Sequence, residues 1–360
     1  MKYILLLLFI FQFIQTPILA DPAPGPLLSV DAAAQAIIEE AAAKHAKEFT
    51  VPTPAPRQIV NTPTGSTPKP DTLPQQTNNF SLINELCLKI SGKLASVSTQ
   101  SCQDQKMSPT GAISVEGHPI AIKEYPPSPK RSPQARVLLM GGIHGDEFSS
   151  IGIVFNWMQT LNQHHSGLFH WHVAPLVNPD GLFRTKSQRT NAHGVDLNRN
   201  FPTTNWLSDS RDYWINRTKS DPRRFPGPAP LSEPESHWVE DEINQFKPHA
   251  IISVHAPYGI LDYDGERPDP PQHLGHLNLS PMGTYPGSLG RYAGVEKRIP
   301  IITIELSYAG IMPSENEIAS MWMDLIRWLT NNIFDPDIYP NRSLSQPIYA
   351  LPQPKAPKKP

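Results

Sequence analysis

An excess of charge of either sign is absent from this chain. Thirty-one Lys and Arg face 33 Asp and Glu across 360 residues, a formal net charge of -2. With a pI near 6.7, there is no electrostatic footprint for nucleic acid. Cysteine is nearly missing, with only Cys87 and Cys102, so at most one disulfide can form. Beyond the N-terminus no long apolar run occurs, so no second membrane-spanning segment is expected. Internal repeats are lacking too.

Proline, by contrast, is abundant. Its 41 residues exceed twice the usual roughly 5%, and they gather outside the periodic segments, where they mark turns and linkers. The N-terminus joins Lys2 to the apolar run "YILLLLFIFQFIQTPILA", which Gln12, Gln15 and Pro17 interrupt. This pattern predicts a signal peptide over 1–20, cleaved after Ala20, with no stable membrane insertion afterwards; an uncleaved anchor is the alternative. The chain is accordingly expected to be exported, to the periplasm or as a secreted protein. In an oxidising compartment Cys87 and Cys102 are expected to pair, closing a loop of about 15 residues worth on the order of 3 kcal/mol.

Residues 21–79 read as an Ala- and charge-rich helix over 31–49 followed by a Pro-rich flexible linker. Order is expected from Phe80, where Phe80, Ile83, Leu86, Cys87, Ile90 and Leu94 recur at helical spacing. "AISVEGHPIAIKEYP" reads as two strands around a turn at Gly117. From Val137 onward short β-branched runs ("RVLLMGG", "FHWHVAPLVNPDG", "AIISVHAP", "PIITIELS") alternate with helical patterns over 149–161, 234–246 and 315–333. That alternation predicts one α/β domain over 80–335, a mixed, mostly parallel twisted sheet with helices on both faces. Residues 336–360 form a Pro- and Lys-rich tail with no core-forming pattern.

Ligands of open α/β sheets gather at the carboxyl ends of the strands, and three predicted strand ends carry ionisable groups. One run ends in His144 and Glu147, another in His255, a third in Glu305. Two His and one Glu are a common protein set for catalytic zinc, which keeps a position open for water. The ion lowers the pKa of a coordinated water from 15.7 towards about 7, and a nearby carboxylate then serves as general base. Glu305 suits that role because it ends a strand without being needed as a ligand. Glycines at 141, 142 and 145 allow the tight turn that aims both first-strand ligands at one ion. Downstream, "FRTKSQRTNAHGVDLNRNFP" concentrates Arg184, Arg189, Asn198 and Arg199; arginine forks bind carboxylates and stabilise oxyanions. "SEPE" at 232–235 reads as a helix capping box, Ser232 capping and Glu235 reaching back. His170 and His172 share a strand face and read as ordinary surface histidines rather than a second metal site.

The motifs "GGIHGDE", "VNPDG", "GVDLNRNFP", "GPAPLSEPE", "ISVHAP" and "ITIEL" occur in an order that resembles the M14 family of zinc carboxypeptidases. The compact form R-x-N-x-x-G-V-D-L-N-R-N-F resembles its bacterial, murein peptide amidase branch. The resemblance spans about residues 80–335. It implies the zinc-carboxypeptidase-like fold and one zinc ion held by His144, Glu147 and His255, with Glu305 as general base and proton donor. It also implies that Asn198 and Arg199 hold a substrate carboxylate. Either Arg189 or Arg184 would stabilise the oxyanion, Arg189 fitting the short bacterial spacing. Tyr285 and Tyr258 are both candidates for the family's site tyrosine. The implied substrates are peptidoglycan stem peptides or muropeptides, cut at the γ-D-Glu–meso-diaminopimelate amide. Trimming of C-terminal residues by the same site is the alternative, and a non-catalytic wall-binding module is the alternative from another class.

Overall fold

A computed structural model describes residues 73–340. The expected signal peptide, the helix over 31–49, the linker up to residue 72 and the tail from 341 lie outside the described residues. Among the described residues no helix is long and apolar enough to cross a membrane.

Chain order begins with helix α1 (Leu73–Lys93), a short α2 (Thr99–Gln103) and the antiparallel pair β1 (Ser108–Ile113) and β2 (Pro119–Tyr125). Helix α1 thus starts seven residues before Phe80, inside the stretch read as linker. Pro74 falls in its first turn, where a missing N–H costs nothing, so proline there does not stop a helix. Ile83, Leu86, Cys87, Ile90 and Leu94 are buried as their spacing predicts, whereas Phe80, one turn upstream of that contact, is 71% exposed. Cys87 in α1 and Cys102 in α2 form a disulfide with a Cα–Cα separation of 5.5 Å.

Then follow β3 (Ala135–Met140), α3 (Phe148–His164), β4 (Phe169–Ala174), α4 (Pro179–Phe183), α5 (Trp206–Asp212), α6 (Pro234–Phe246) and β5 (Ala250–His255). The chain continues through β6 (Ile260–Asp264), the small pair β7 (His273–Leu274) and β8 (Leu277–Asn278), β9 (Ile301–Glu305) and α7 (Glu315–Asn332). Seven strands form one sheet in the order β1-β2-β4-β3-β5-β9-β6. Its four central strands, β4, β3, β5 and β9, run parallel, and β2 and β6 flank them antiparallel. This is the expected mixed α/β sheet, with β6 an edge strand that the sequence reading did not contain.

Period-two alternation assigns each strand residue a face. Val137, Leu139, Ile252, Val254, Ile302 and Ile304 pack with α1, α3 and α7 on one side. Leu138, Met140, Ile251 and Ile301 pack with α6 and the helical turn at 290–296 on the other. Both faces of the central strands are therefore buried, which is why these strands read as continuous apolar runs. Each fully buried aliphatic side chain contributes about 1.5–3 kcal/mol. The apolar runs stop where the strands reach their carboxyl ends, and there the ionisable groups begin.

The "SEPE" segment is not a capping box. Pro234 takes the first turn of α6 and moves the cap to Glu233, which makes no side-chain capping bond. Glu235 turns inward and accepts from Asn191 Nδ2 at 3.0 Å. The capping box lies instead on α7, between Ser314 and Glu317.

Candidate active site

The loop after β3 brings His144 and Glu147 together because it can fold back on its neighbours without side chains in the way. A Cβ on Gly145 would lie 2.2 Å from the backbone of Gly181, so only glycine fits there. Asn178 fixes that contact: its amide donates to the carbonyls of Ile143 and Arg189, both at 3.2 Å, and its oxygen accepts from Gly181 N–H at 2.8 Å. The "VNPDG" motif thereby ties the His144 loop to the Arg189 loop. Strand β5 delivers His255, whose register partner on β9 is Glu305.

One ligand atom each from His144, Glu147 and His255 lies within 4.8 Å of the others, and all three residues are buried. His144 Nδ1 stands 3.1 Å from His255 Nδ1 and 2.8 Å from Glu147 Oε1, and His255 Nδ1 is 3.1 Å from Glu147 Oε2. Two imidazole nitrogens facing each other beside a carboxylate converge on a point suited to a cation. Two His and one Glu fit zinc.

The other nitrogen of each ring is also held. Asp196 Oδ1 is 3.1 Å from His144 Nε2, and Ser253 Oγ is 3.0 Å from His255 Nε2. Such partners fix ring orientation and raise the donor strength of the metal-facing nitrogen. Neither Asp196 nor Ser253 was singled out from the sequence. Asp196 lies inside "GVDLNRNFP", so that motif was the available signal.

Electrostatics are dominated by burial and compensation. Burial pushes the Glu147 carboxyl up, but His144 and His255 together more than reverse this and hold it well below the usual carboxylate range. Burial likewise opposes ionisation of Asp196, and Arg189, His144 and Arg199 outweigh it. Glu305 goes the other way: burial raises its pKa, and the charge of Glu147 adds to the rise against the opposing histidines. Its Oε2 is buried with no hydrogen-bond partner. The carboxyl thus combines a raised pKa with one oxygen free to meet a ligand in the cleft.

Arg189 reaches the same cluster. Its Nε donates to Asp196 Oδ2 at 2.9 Å, and one terminal nitrogen lies 3.5 Å from Glu147 Oε1. Arg184 does not. It donates to the Ala192 carbonyl at 2.8 Å, lies 3.7 Å from Glu116 and is absent from the cleft wall. Of the two arginines offered by the sequence, the structure thus places Arg189 at the cluster and Arg184 outside the cleft wall, α4 ending just before it.

Arg199, buried in the wall, stacks over Tyr285 at 4.7 Å and leaves its Nε without a partner. Asn198 Oδ1 accepts from Leu289 N–H at 2.8 Å. The cleft holds about 440 Å³, and both Tyr285 and Tyr258 line it. Arg224, Asp262 and Asp264 also line it, although nothing in the sequence marked them, and so does Thr303, which lies inside the "ITIEL" motif.

His170 and His172 sit apart from the cleft, paired with Glu124 at 2.8 Å and Glu242 at 2.6 Å.

A family model described as zinc carboxypeptidase matches residues 100–280. Murein peptide amidase A of Escherichia coli (strain K12) is 30% identical over 217 residues, 58% of this chain and 86% of that protein. Murein peptide amidase A of Vibrio campbellii is 32% identical over 179 residues, 48% of this chain and 69% of that protein. Among solved structures, a murein-tripeptide amidase from Escherichia coli O157 is similar at a TM-score of 0.43 and 29% identity, covering 60% of this chain and 90% of that one. Bovine thrombin-activatable fibrinolysis inhibitor is similar at a TM-score of 0.47 and 18% identity, covering 68% of this chain and 93% of that one.

Proposed function

The chain belongs to the zinc carboxypeptidase family of hydrolases, and from that premise we propose that it is an exported amidase acting on peptidoglycan stem peptides. The bond cut is the amide between γ-D-Glu and meso-diaminopimelate. His144, Glu147 and His255 would hold one zinc ion. When bound, zinc supplies Lewis acidity, which makes water nucleophilic near neutral pH.

The rest of the chemistry falls to side chains of this chain. Glu305 takes a proton from the attacking water and later delivers it to the leaving amine. Arg189 faces the developing oxyanion with a fixed positive charge, and a positioned donor of that kind contributes about 3–4 kcal/mol. Asn198 and Arg199 hold a free carboxylate on the departing side. That carboxylate sets which bond lies over Glu305.

The observation that carries this reading is a pair of buried side-chain atoms in one cleft that have no partner. Glu305 Oε2 and Arg199 Nε both lack partners, and leaving such atoms unmatched costs about 1–3 kcal/mol each. A substrate with an amide and a carboxylate satisfies both. The E. coli and Vibrio relatives are named for murein peptides, and the apolar N-terminal run supports export.

The test is incubation of the zinc-loaded mature protein with defined tri- and tetrapeptide muropeptides, with products read by mass spectrometry. Release of fragments beginning with diaminopimelate supports the proposal. Loss of only a terminal alanine would replace it with the carboxypeptidase reading. Absence of product with zinc bound would refute both, leaving the wall-binding reading to be tested by sedimentation with purified peptidoglycan.

A further inference from the structure

Spacing alone marks His170 and His172 as ordinary strand histidines, but the fold gathers more around them. Two residues apart on β4, they project from one face of the sheet. Strand β2 runs antiparallel beside β4 and sets Glu124 directly opposite His172, a register that brings Cβ atoms to about 4.5–5.5 Å. Glu124 Oε1 reaches diagonally to within 2.8 Å of His170 Nε2. Helix α6 supplies Glu242 on the same face, its Oε1 2.6 Å from His172 Nδ1. One ligand atom each from Glu124, His170 and His172 lies within 4.8 Å of the others.

Both rings are held in place. Phe246, the last residue of α6, stacks on His172 with centroids 3.7 Å apart and an interplanar angle of 8°, and meets His170 edge-on at 5.1 Å. The two imidazoles stand nearly perpendicular, 5.2 Å apart. Packing against Phe246 therefore orients both rings, while about a fifth of each side chain stays open to solvent. An ion could enter without disturbing the core.

The charges around the rings favour a cation. Among the described residues, Glu124 and Glu242 form ion pairs only with these two histidines, and a neutral imidazole does not offset a carboxylate. Arg136, in register with His170 on β3, is engaged elsewhere: it donates to Asp335 at 3.0 Å and to the Lys247 carbonyl at 2.9 Å. Imidazole nitrogens with carboxylate oxygens suit zinc and its neighbours among the divalent transition metals. A further group, Glu116, His118 and Asp180, has ligand atoms as close together but is less suited. Ser114 and the Glu116 N–H already take the Asp180 oxygens, and the Lys89 ammonium stands 3.4 Å from His118 Nδ1.

We propose that Glu124, His170 and His172, with Glu242 anchoring the His172 ring, form a second binding site for a divalent transition-metal ion of the zinc class. Neither histidine lines the cleft, so an ion here takes no part in hydrolysis. It ties β2 to β4 and, through Glu242, both strands to α6. The site does not depend on which bond the cleft cuts.

The test is calorimetric titration of the mature, zinc-loaded protein with further zinc chloride. The wild type should take up a saturable second equivalent, and its Tm should rise with that uptake. His172→Gln should abolish both effects while keeping the first equivalent and the hydrolytic activity. His170→Gln, a second variant in case the first fails to fold, should do the same. His118→Gln should bind the second equivalent as the wild type does.

Glu305, whose Oε2 has no partner, is the competing place for extra zinc. A second equivalent lost in Glu305→Gln and kept in His172→Gln overturns the inference, and so does a wild type that binds no second equivalent. Loss in His172→Gln with retention in Glu305→Gln supports it. If no muropeptide is cleaved, the proposed function fails, while a second equivalent that disappears in His172→Gln still establishes this site.

Discussion

Replacing Asp196 with Asn should weaken zinc binding while leaving all three ligands in place. Asp196 is fully buried. Its carboxylate meets His144 Nε2 at 3.1 Å, Arg189 Nε at 2.9 Å and the Asn198 N–H at 3.1 Å. Asparagine keeps the shape and one acceptor oxygen but removes the charge. Two losses follow. His144 no longer donates its Nε2 proton to an anion, which weakens Nδ1 as a donor. Arg189 keeps Glu147, at 3.5 Å, as its main anion beside a weaker pull from Asp146, and so competes with the metal for a ligand. Partners of this kind are worth 10- to 100-fold in metal affinity, about 1.4–2.7 kcal/mol. Because both losses act together, the expected rise in zinc Kd is at the upper end, about 100-fold. A competition titration against a chromophoric chelator measures it, with near-UV circular dichroism confirming the fold. Asp180→Asn is the control. Asp180 is also a fully buried carboxylate, bonded to Ser114 and to Glu116 N–H, but it does not line the cleft. It should cost stability and leave zinc affinity alone. A zinc affinity unchanged in Asp196→Asn, or lowered equally in Asp180→Asn, would refute the assignment of Asp196 as the anchor of His144.

Glu305→Gln should retain zinc by metal analysis and lower kcat by about 10²–10⁴-fold; a variant that remains active would remove Glu305 from the role of base. Glu235→Gln should change how stability depends on pH, because burial pushes Glu235 up to about 7 from 4.5. Its folded pKa is the higher one, so the native state binds the extra proton and stability falls as pH rises through about 4.5 to 7, by about 3 kcal/mol in all. Urea midpoints at several pH values should show that fall in the wild type and a flatter profile in the variant; matching profiles would contradict it. Replacing both Cys87 and Cys102 with Ser opens a 15-residue loop and should cost about 3 kcal/mol. That loss lowers Tm by about 10 °C, and an unchanged calorimetric Tm would count against it.

What could be read in the sequence was whatever depends on local period. Strands β3, β5 and β9 announced themselves because both their faces are buried and their apolar runs stop abruptly at His or Glu. The helix over 234–246 matched to the residue, since Pro234 can only begin it. The zinc-ligand candidates were visible for the same reason: each stands just where an apolar run ends. Pairings across the fold were not visible. Asp196 acts through His144, 52 residues away, and nothing in the spacing joins them. Arg184 and Arg189 lie in one loop with the same chemistry. Only the turn imposed by α4 and Asn178 sends one to the cleft and the other to Ala192. The "SEPE" segment misled because its spacing fits a capping box while Pro234 shifts the cap by one residue.

Strand β6 escaped because its pattern is ambiguous without its partner strand. "ILDYD" alternates apolar with polar residues, and at an edge such a pattern reads as a solvated strand or loop. Its polar face turns inward instead, because β6 pairs antiparallel with β9 and sets Asp262 opposite Thr303. The two kinds of information therefore separate along the sheet. The catalytic row is written at strand ends, where composition changes sharply. The row beneath it is assembled only when three distant strands are laid side by side: Ser253 and Thr303 lie inside motifs that mark the family, and Asp262, their neighbour in register, lies outside them. Ser253 in that row also holds His255 Nε2 at 3.0 Å, so the row is tied to the metal-facing residues above it and is not independent of them.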